Sequence, residues 1–480
     1  MGLLDTSATR LAAMIRAGEI SAVDLLETHI ERIDSVNPVI NAIAVRRYAA
    51  ARDEAKAADR RLLEDDPSTL PPLFGVPCTI KEFLGVKGLP NTGGMHAYRA
   101  RRAKRDAPVV ARVRAAGAII MATTNVPEGG LWLESDNPIY GLARNPYDPS
   151  RSPGGSSGGE GAIIAAGGSP FGLGADVGGS IRIPSGFCGI AGHKGTGGLI
   201  PSTGHFPSDP ALARTLCLGP MARRVEDLVT LVPILAGPDG ECDGAFEMPF
   251  GDPDSVNIRD LTIYKVHSPR GPRLWQPMRE AMDKAADALG SMGARVQPLE
   301  IDAIADAVEI WAAKLATASD GYAGILGGHR RIKPVVELIR LLRGRSNHTA
   351  PALVMTLAEV ATVLLPGRTK RMFELGEELR EKIGDIMGPG GVLLYPPYTR
   401  PAPRHLMPLV TAFDGRCTPL FNVTEQPVTV VPVAFSGGLP VSLQIIGRRG
   451  DDHITLAVGA ALERAFGGWV RAELPGQASR

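Results

Sequence analysis

One feature constrains the fold of this 480-residue chain more than any other: helical and strand-like stretches alternate from one end to the other. Ser21 opens a capping-box-like start, and Leu25, Leu26, Ile30 and Ile33 follow at helical spacing. The Ala-rich stretch Tyr48 to Leu62 reads as helix. A helix over Pro108 to Ala115 leads into the buried strand of AGAIIMATTN (116–125). EGAIIAAGG reads as a helix closed by Gly167 and Gly168, and PFGLGAD as the next strand. Leu261 to Val266, Leu274 to Met292 and Arg295 to Leu299 read as strand, helix, strand, a βαβ unit. Residues 302–387 are almost wholly helical in pattern, an inserted layer. Three strands follow (GVLLYP, VTVVPVAF, LPVSLQIIG), then a helix from Asp452 to Phe466. At about 150 residues per domain the length allows roughly three. No Pro/Ser linker cuts the alternation, so one large α/β domain with a helical insertion is expected.

The formal net charge is +1, which argues against a nucleic-acid partner. The local exception is the basic run Arg99, Arg101, Arg102, Lys104 and Arg105, read as a solvated face or, alternatively, as a contact for an anionic partner or membrane. Cys78, Cys188, Cys217, Cys242 and Cys417 are odd in number and widely spaced, without a CxxC pair. That pattern reads as reduced thiols in a cytoplasmic protein with no structural metal. The N-terminus lacks a signal-peptide pattern. The longest apolar run, Ala352 to Leu365, is interrupted by Glu359 and falls short of the about 20 apolar residues a membrane span needs. It reads as a core or interface helix, the wall of an apolar channel, or a membrane-docking face.

SPGGSSGGEG (152–161) has the composition of a linker. It is not a P-loop, because no GxxxxGK[ST] string occurs, and no Rossmann fingerprint opens an early βαβ unit. Gly154 to Gly158 matches GxSxG, but Pro146, Pro149 and Pro153 exclude the central strand that a nucleophile elbow needs. Ser135-Asp136-Asn137 has no SxxK before it and reads as a turn. In GADVGGSIRIPS (174–185), Ser180 follows two glycines at the end of an apolar strand. Backbone N–H groups can converge at such a turn, the geometry an oxyanion requires. A base for Ser180 would be His193, His205, or a buried neutral lysine. Lys81 ends an apolar strand and is open to pairing with the adjacent Glu82.

GVPCTIKE with Lys81, SPGGSSGGEGA with Ser156, and GADVGGSIRIPSGFCGI with Ser180 together resemble the amidase signature family. The two serines lie 24 positions apart (180 − 156), a spacing this family shows. TTNVPEGGLWLESDNPIYGLARNPYD and GIAGHKGTGGLIPSTGHFP are similar to its fatty acid amide hydrolase branch, especially the second vertebrate type. The likeness covers nearly the whole chain and is weakest from about 240 to 390. GHKGTGG stands where Lys-Pro is usual, and NVTEQPVT where a Gly-Leu-Pro type stretch is more common. No N-terminal membrane segment of the vertebrate type is seen.

The resemblance implies an α/β fold in which a central mixed, twisted sheet is covered by helices on both faces. One domain would span 1–480, with a catalytic core over about 65–220 and a substrate-side helical layer over about 300–390. It implies an amide hydrolase with a Lys81, Ser156, Ser180 triad, acting on linear amides of hydrophobic acyl or aryl type, with esters as a further option. The Gly155–Ser156 peptide would be cis. The N–H groups of Val177, Gly178, Gly179 and Ser180 would form the oxyanion hole. Ser157, Asp176 and Arg182 would brace the loop, and Gly130, Leu131 and Ser156 would meet substrate. No cofactor or metal is implied. The expected partners are a small-molecule amide and a second copy of the chain, with a peripheral membrane contact as a further option. The alternative activity is that of a glutaminase-type subunit of a tRNA-dependent amidotransferase.

Overall fold

The alternation resolves into an eleven-stranded sheet. The computed structural model describes residues 2–328 and 330–474, and the side chains of residues 361–363 and 412–413 lie outside the described set. In chain order the strands are β1 (Ile43–Arg46), β2 (Pro77–Lys81), β3 (Ile119–Thr124), β4 (Phe171–Asp176), β5 (Ala191–Lys194) and β6 (Cys217–Ala222). They continue with β7 (Thr262–His267), β8 (Arg295–Glu300), β9 (Gly391–Tyr395), β10 (Val428–Ser436) and β11 (Leu439–Ile446). Their order across the sheet is β1-β3-β2-β4-β6-β5-β10-β11-β9-β7-β8. β2 runs parallel to β3 and β4, and β7 runs parallel to β8 and β9. The remaining pairs are antiparallel, so the sheet is mixed.

The expected helices flank it. Ser21 caps the helix Ala22–Ile40 by accepting the Asp24 N–H at 2.9 Å. The helix Gln276–Ser291 connects β7 to β8 as the βαβ reading requires. Three strands escape the alternation: β1 and β5 have four residues each, and β6 carries a proline and a glycine. Between β8 and β9 the chain forms the helices Ala307–Leu315, Tyr322–Leu326, Pro334–Leu342, Ala350–Leu364 and Pro366–Met387.

β2 lies between two parallel neighbours, and all five of its residues are buried. Parallel strands covered on both faces read as continuous apolar runs. Such a strand delivers its last residue, Lys81, into the protein interior. No helix among the described residues is long and apolar enough to cross a membrane. All five cysteines are free.

Candidate active site

Three separate segments converge at the ends of β2 and β4. Lys81 is 0% exposed, Ser156 3% and Ser180 8%. The Lys81 Nζ donates to Ser156 Oγ at 2.8 Å and to the Ala175 carbonyl at 3.1 Å. Burial lowers the Lys81 pKa to about 7, against the opposing pull of Asp176 and Glu160. The pairing with Glu82 left open by the sequence is not formed. Glu82 instead accepts from the Thr92 hydroxyl and N–H, from the Gly93 N–H at 2.9 Å and from Tyr140 Oη at 3.1 Å. It folds the neighbouring loop.

The Gly155–Ser156 peptide is cis. A side chain at Gly155 would strike the Trp132 carbonyl, so only glycine lets this turn lie against the 132–134 backbone. Ser157 clips the turn to β4, its hydroxyl donating to the Ala175 carbonyl at 3.3 Å. Its N–H donates to the Ser180 carbonyl at 3.2 Å and ties the two serine turns together. The two turns are thus joined in this structure through the backbone of Ser157 and Ser180. Ser135, a turn residue in the sequence reading, also holds this loop: its hydroxyl accepts the Gly158 N–H at 3.1 Å and donates to the Gly154 carbonyl at 3.2 Å.

The Ser180 turn hangs on Asp176. That carboxylate accepts the N–H groups of Gly179 at 2.6 Å and Ile181 at 3.0 Å. It also takes a two-pronged pair from Arg182 (Nε and Nη2, both 3.0 Å) and Asn422 Nδ2 at 3.0 Å. Burial alone would raise its pKa, yet the Arg182 guanidinium and Asn422 hold it well below the usual carboxylate range. Asp176 and Arg182 therefore brace the turn. The same bonds narrow the expected oxyanion donors. Of the four N–H groups expected as oxyanion donors, that of Gly179 is engaged by Asp176. Gly179 sits at φ +132°, and a Cβ there would overlap the Thr418 hydroxyl.

Thr418, Asn422 and Trp311 were not legible as site residues. Thr418 Oγ1 donates to the Gly178 carbonyl at 2.7 Å. Trp311 Nε1 donates to the Val177 carbonyl at 2.7 Å, with its ring against Gly178. Asn422 belongs to the NVTEQPVT stretch that departs from the family pattern, and its amide also donates to the Asp176 carbonyl at 3.0 Å. Glu160, in the first turn after the Gly/Ser stretch, is wholly buried and accepts from Thr79 at 2.6 Å and Thr124 at 2.9 Å. Burial raises its pKa to about 8.

Gly130 and Leu131 border the same space. Gly130 packs on the Phe83 ring, and the Lys81 Nζ stands 4.9 Å from that ring's centroid. Leu131 packs with Met95, Tyr322, Leu326, Ala352 and Phe206 in an apolar cluster. His193 is engaged elsewhere, by Thr429 at 2.9 Å and Asp452 at 3.1 Å. His205 lies near Phe83, at 5.4 Å between ring centroids, but its Nδ1 is 2.6 Å from the Pro207 carbonyl. Neither histidine contacts Ser180. No group of metal-ligating side chains occurs among the described residues.

The sequence matches the amidase family over residues 24–456. The human protein fatty-acid amide hydrolase 2 is 37% identical to it over 487 residues, covering 98% of this chain and 90% of that protein. A glutamyl-tRNA(Gln) amidotransferase subunit from Roseiflexus castenholzii is 30% identical, covering 94% of each. Among solved structures, a bacterial aryl acylamidase of the amidase signature enzymes superposes with a TM-score of 0.80 at 25% identity, covering 96% of both chains.

Proposed function

The chain belongs to the amidase family and is an amide-hydrolysing enzyme, and from that premise we propose that it works through an acyl-serine intermediate on Ser180, with Ser156 and Lys81 completing a triad. The observation that carries this reading is a buried lysine amine, its pKa lowered to about 7, lying 2.8 Å from Ser156 Oγ. Near neutral pH about half of such amines are unprotonated, and a neutral amine accepts a proton. Ser180 Oγ attacks the amide carbonyl while Ser156 passes the proton of Ser180 to Lys81. The N–H groups of Val177, Gly178 and Ser180 take the developing oxyanion, with Gly179 joining if its bond to Asp176 is shared. Ser156 returns a proton to the leaving amine, and water then releases the acid from Ser180.

The acyl end of the substrate faces Gly130, Leu131 and the apolar cluster around Tyr322 and Leu326, which suits a hydrophobic acyl or aryl group. On this reading the helical layer over about 300–390 stands on the substrate side of the single domain, and the core over about 65–220 carries the chemistry. The helix Ala350–Leu364 supports the channel-wall role, since Ala352, Leu353 and Thr356 are buried in it. Its outer face is different. Val354, Leu357, Val360 and Leu364 are exposed beside Val335, Val336, Ile339 and Leu342 of the helix Pro334–Leu342. A second copy of the chain would cover this face in the homodimer, and sedimentation velocity tests that. A cytoplasmic address fits five free thiols.

The glutaminase role in an amidotransferase is the second reading, favoured only by the 30% identity to such a protein. Lys81→Ala in the purified single chain tests the proposal. Hydrolysis of a simple aryl amide without ATP or a partner is expected for the parent chain. The variant should keep the fold and lose about 10²-fold or more in kcat. Near-parental activity in the variant contradicts the triad, and a parent chain active only with partner proteins favours the second reading.

A further inference from the structure

Beyond the C-terminal ends of the parallel strands β7 and β9 lies a second concave region, far along the chain from Lys81, Ser156 and Ser180. Ligand crevices in open α/β sheets collect at such strand ends. The cleft has a volume of about 550 Å³ and is formed by residues 272–279, leading into the helix Gln276–Ser291, and by residues 400–416. Trp275 N–H donates to the Thr399 carbonyl at 2.9 Å and joins the two segments.

Its lining is chemically one-sided. Arg273, Arg279, Arg400 and Arg416 face it against a single carboxylate, Asp414. Asp414 is bound by Arg400, whose guanidinium also stands 4.6 Å from the centroid of the Trp275 ring. The Arg400 Nε is buried without a hydrogen-bond partner. Trp275 remains half exposed, with Pro272 and Leu274 beside it. The helix Gln276–Ser291 opens here with no side-chain cap, so its positive end adds to the field.

The basic run of residues 99–105 makes an instructive contrast. There Arg105 pairs with Glu241, Arg101 binds Asn91 and stacks on Phe206 at 3.8 Å, and Arg102 binds the Gly88 carbonyl at 3.1 Å. Those cations are engaged by neighbouring protein groups. In the 273–416 cleft Arg279 also binds the Leu274 carbonyl, at 2.6 Å, but the lining sets four guanidinium groups against one carboxylate beside a half-exposed aromatic ring.

We propose that this cleft is a binding site for a small anionic molecule with an oxyanion head, carboxylate or phosphate, on a planar apolar body. Arginine forks match both heads in two-pronged geometry. The planar body would lie beside Trp275, and the head would compete with Asp414 for Arg400.

Isothermal titration at low salt tests this with benzoate and phenyl phosphate as probes and benzyl alcohol as a neutral-ring control. Both anions should bind the parent chain saturably, and benzyl alcohol should not. Their relative affinities tell the carboxylate from the phosphate preference. Arg273→Ala combined with Arg279→Ala should weaken both by about tenfold or more. Lys81→Ala should leave both unchanged, because the cleft is separate from the catalytic lysine. Trp275→Leu retains every arginine, so it should weaken the two aryl anions and spare inorganic phosphate. The proposal is overturned by absent saturable binding, by undiminished binding in the double arginine variant, or by loss of binding in Lys81→Ala. Unaltered aryl-anion binding in Trp275→Leu overturns the assignment of the planar body.

Discussion

The Asp176 carboxylate accepts six hydrogen bonds inside the protein, whereas the helix Pro334–Leu342 buries no residue at all and leaves Leu342 82% exposed. Between these extremes lies the division of labour in the molecule. The turn that carries Ser180 is fixed by a buried ion pair, an asparagine and a glycine that only its neighbours make necessary. The helices between β8 and β9 join the core through the first and the last of them, where Ile310, Ile383 and Met387 enter the cluster of Val266, Leu393 and Phe421. Few buried contacts and an open apolar face mark the low-stability end of a structure.

Two ties join the regions. Trp311 reaches the Val177 carbonyl, and Glu128, next to Gly129 and Gly130, holds His348 at 2.7 Å and the Thr349 N–H at 2.8 Å. The 128–130 loop and the helical layer are therefore coupled, and the contrast can be probed from both sides.

The largest effect is expected at the braced turn. Asp176→Asn leaves Arg182 buried with no counter-charge, which costs about 3–5 kcal/mol. A much lower melting temperature should result, and an unaltered one would show that the turn does not depend on this pair. Next comes the tie. Trp311→Ala removes the donor to Val177 and the ring from Gly178, worth about 1–3 kcal/mol, and should depress kcat more than it changes KM. A change in KM alone would make Trp311 a substrate contact and not a support of the oxyanion turn.

A smaller effect concerns pH. Lys81 must lose its proton to act as base, so kcat/KM should rise as pH increases through about 7. Burial pushes Glu160 itself up to about 8, so it is mostly protonated at that midpoint, and Glu160→Gln should leave the midpoint close to its parental value while the enzyme stays active. A midpoint that moves strongly, or a flat profile, would contradict this reading of the site. The smallest effect is expected on the open face. Leu342→Gln should alter stability by no more than about 0.5 kcal/mol and leave the turnover of a short aryl amide unchanged. A strong loss of turnover would mean that the outer face takes part in catalysis.

How much of this was legible follows the same division. The burial of Lys81 could be read because PCTI is an apolar run that ends in lysine. The Gly/Ser stretch and GADVGGS could be read because glycine clusters mark backbone that must approach closely. Asn422, Thr418 and Trp311 lie 246, 242 and 135 positions beyond Asp176, and no local pattern distinguishes a bracing asparagine from one in a loop. Glu82 misled because adjacency in sequence suggested an ion pair with Lys81. Glu82 lies in the turn just past the end of β2, where its carboxylate reaches Thr92 and Gly93 instead. Strands β5 and β6 were hidden because HKG and GPMA lack the β-branched composition of a strand, and their neighbours determine the pairing.

The central claim is that Ser180 attacks and Ser156 carries the proton. Treating the intact enzyme with a fluorophosphonate and mapping the adduct by peptide mass spectrometry tests it most directly. The account predicts one adduct on the peptide that contains Ser180, with labelling greatly slowed in Lys81→Ala. An adduct on Ser156 would contradict it and make the GxSxG serine the nucleophile.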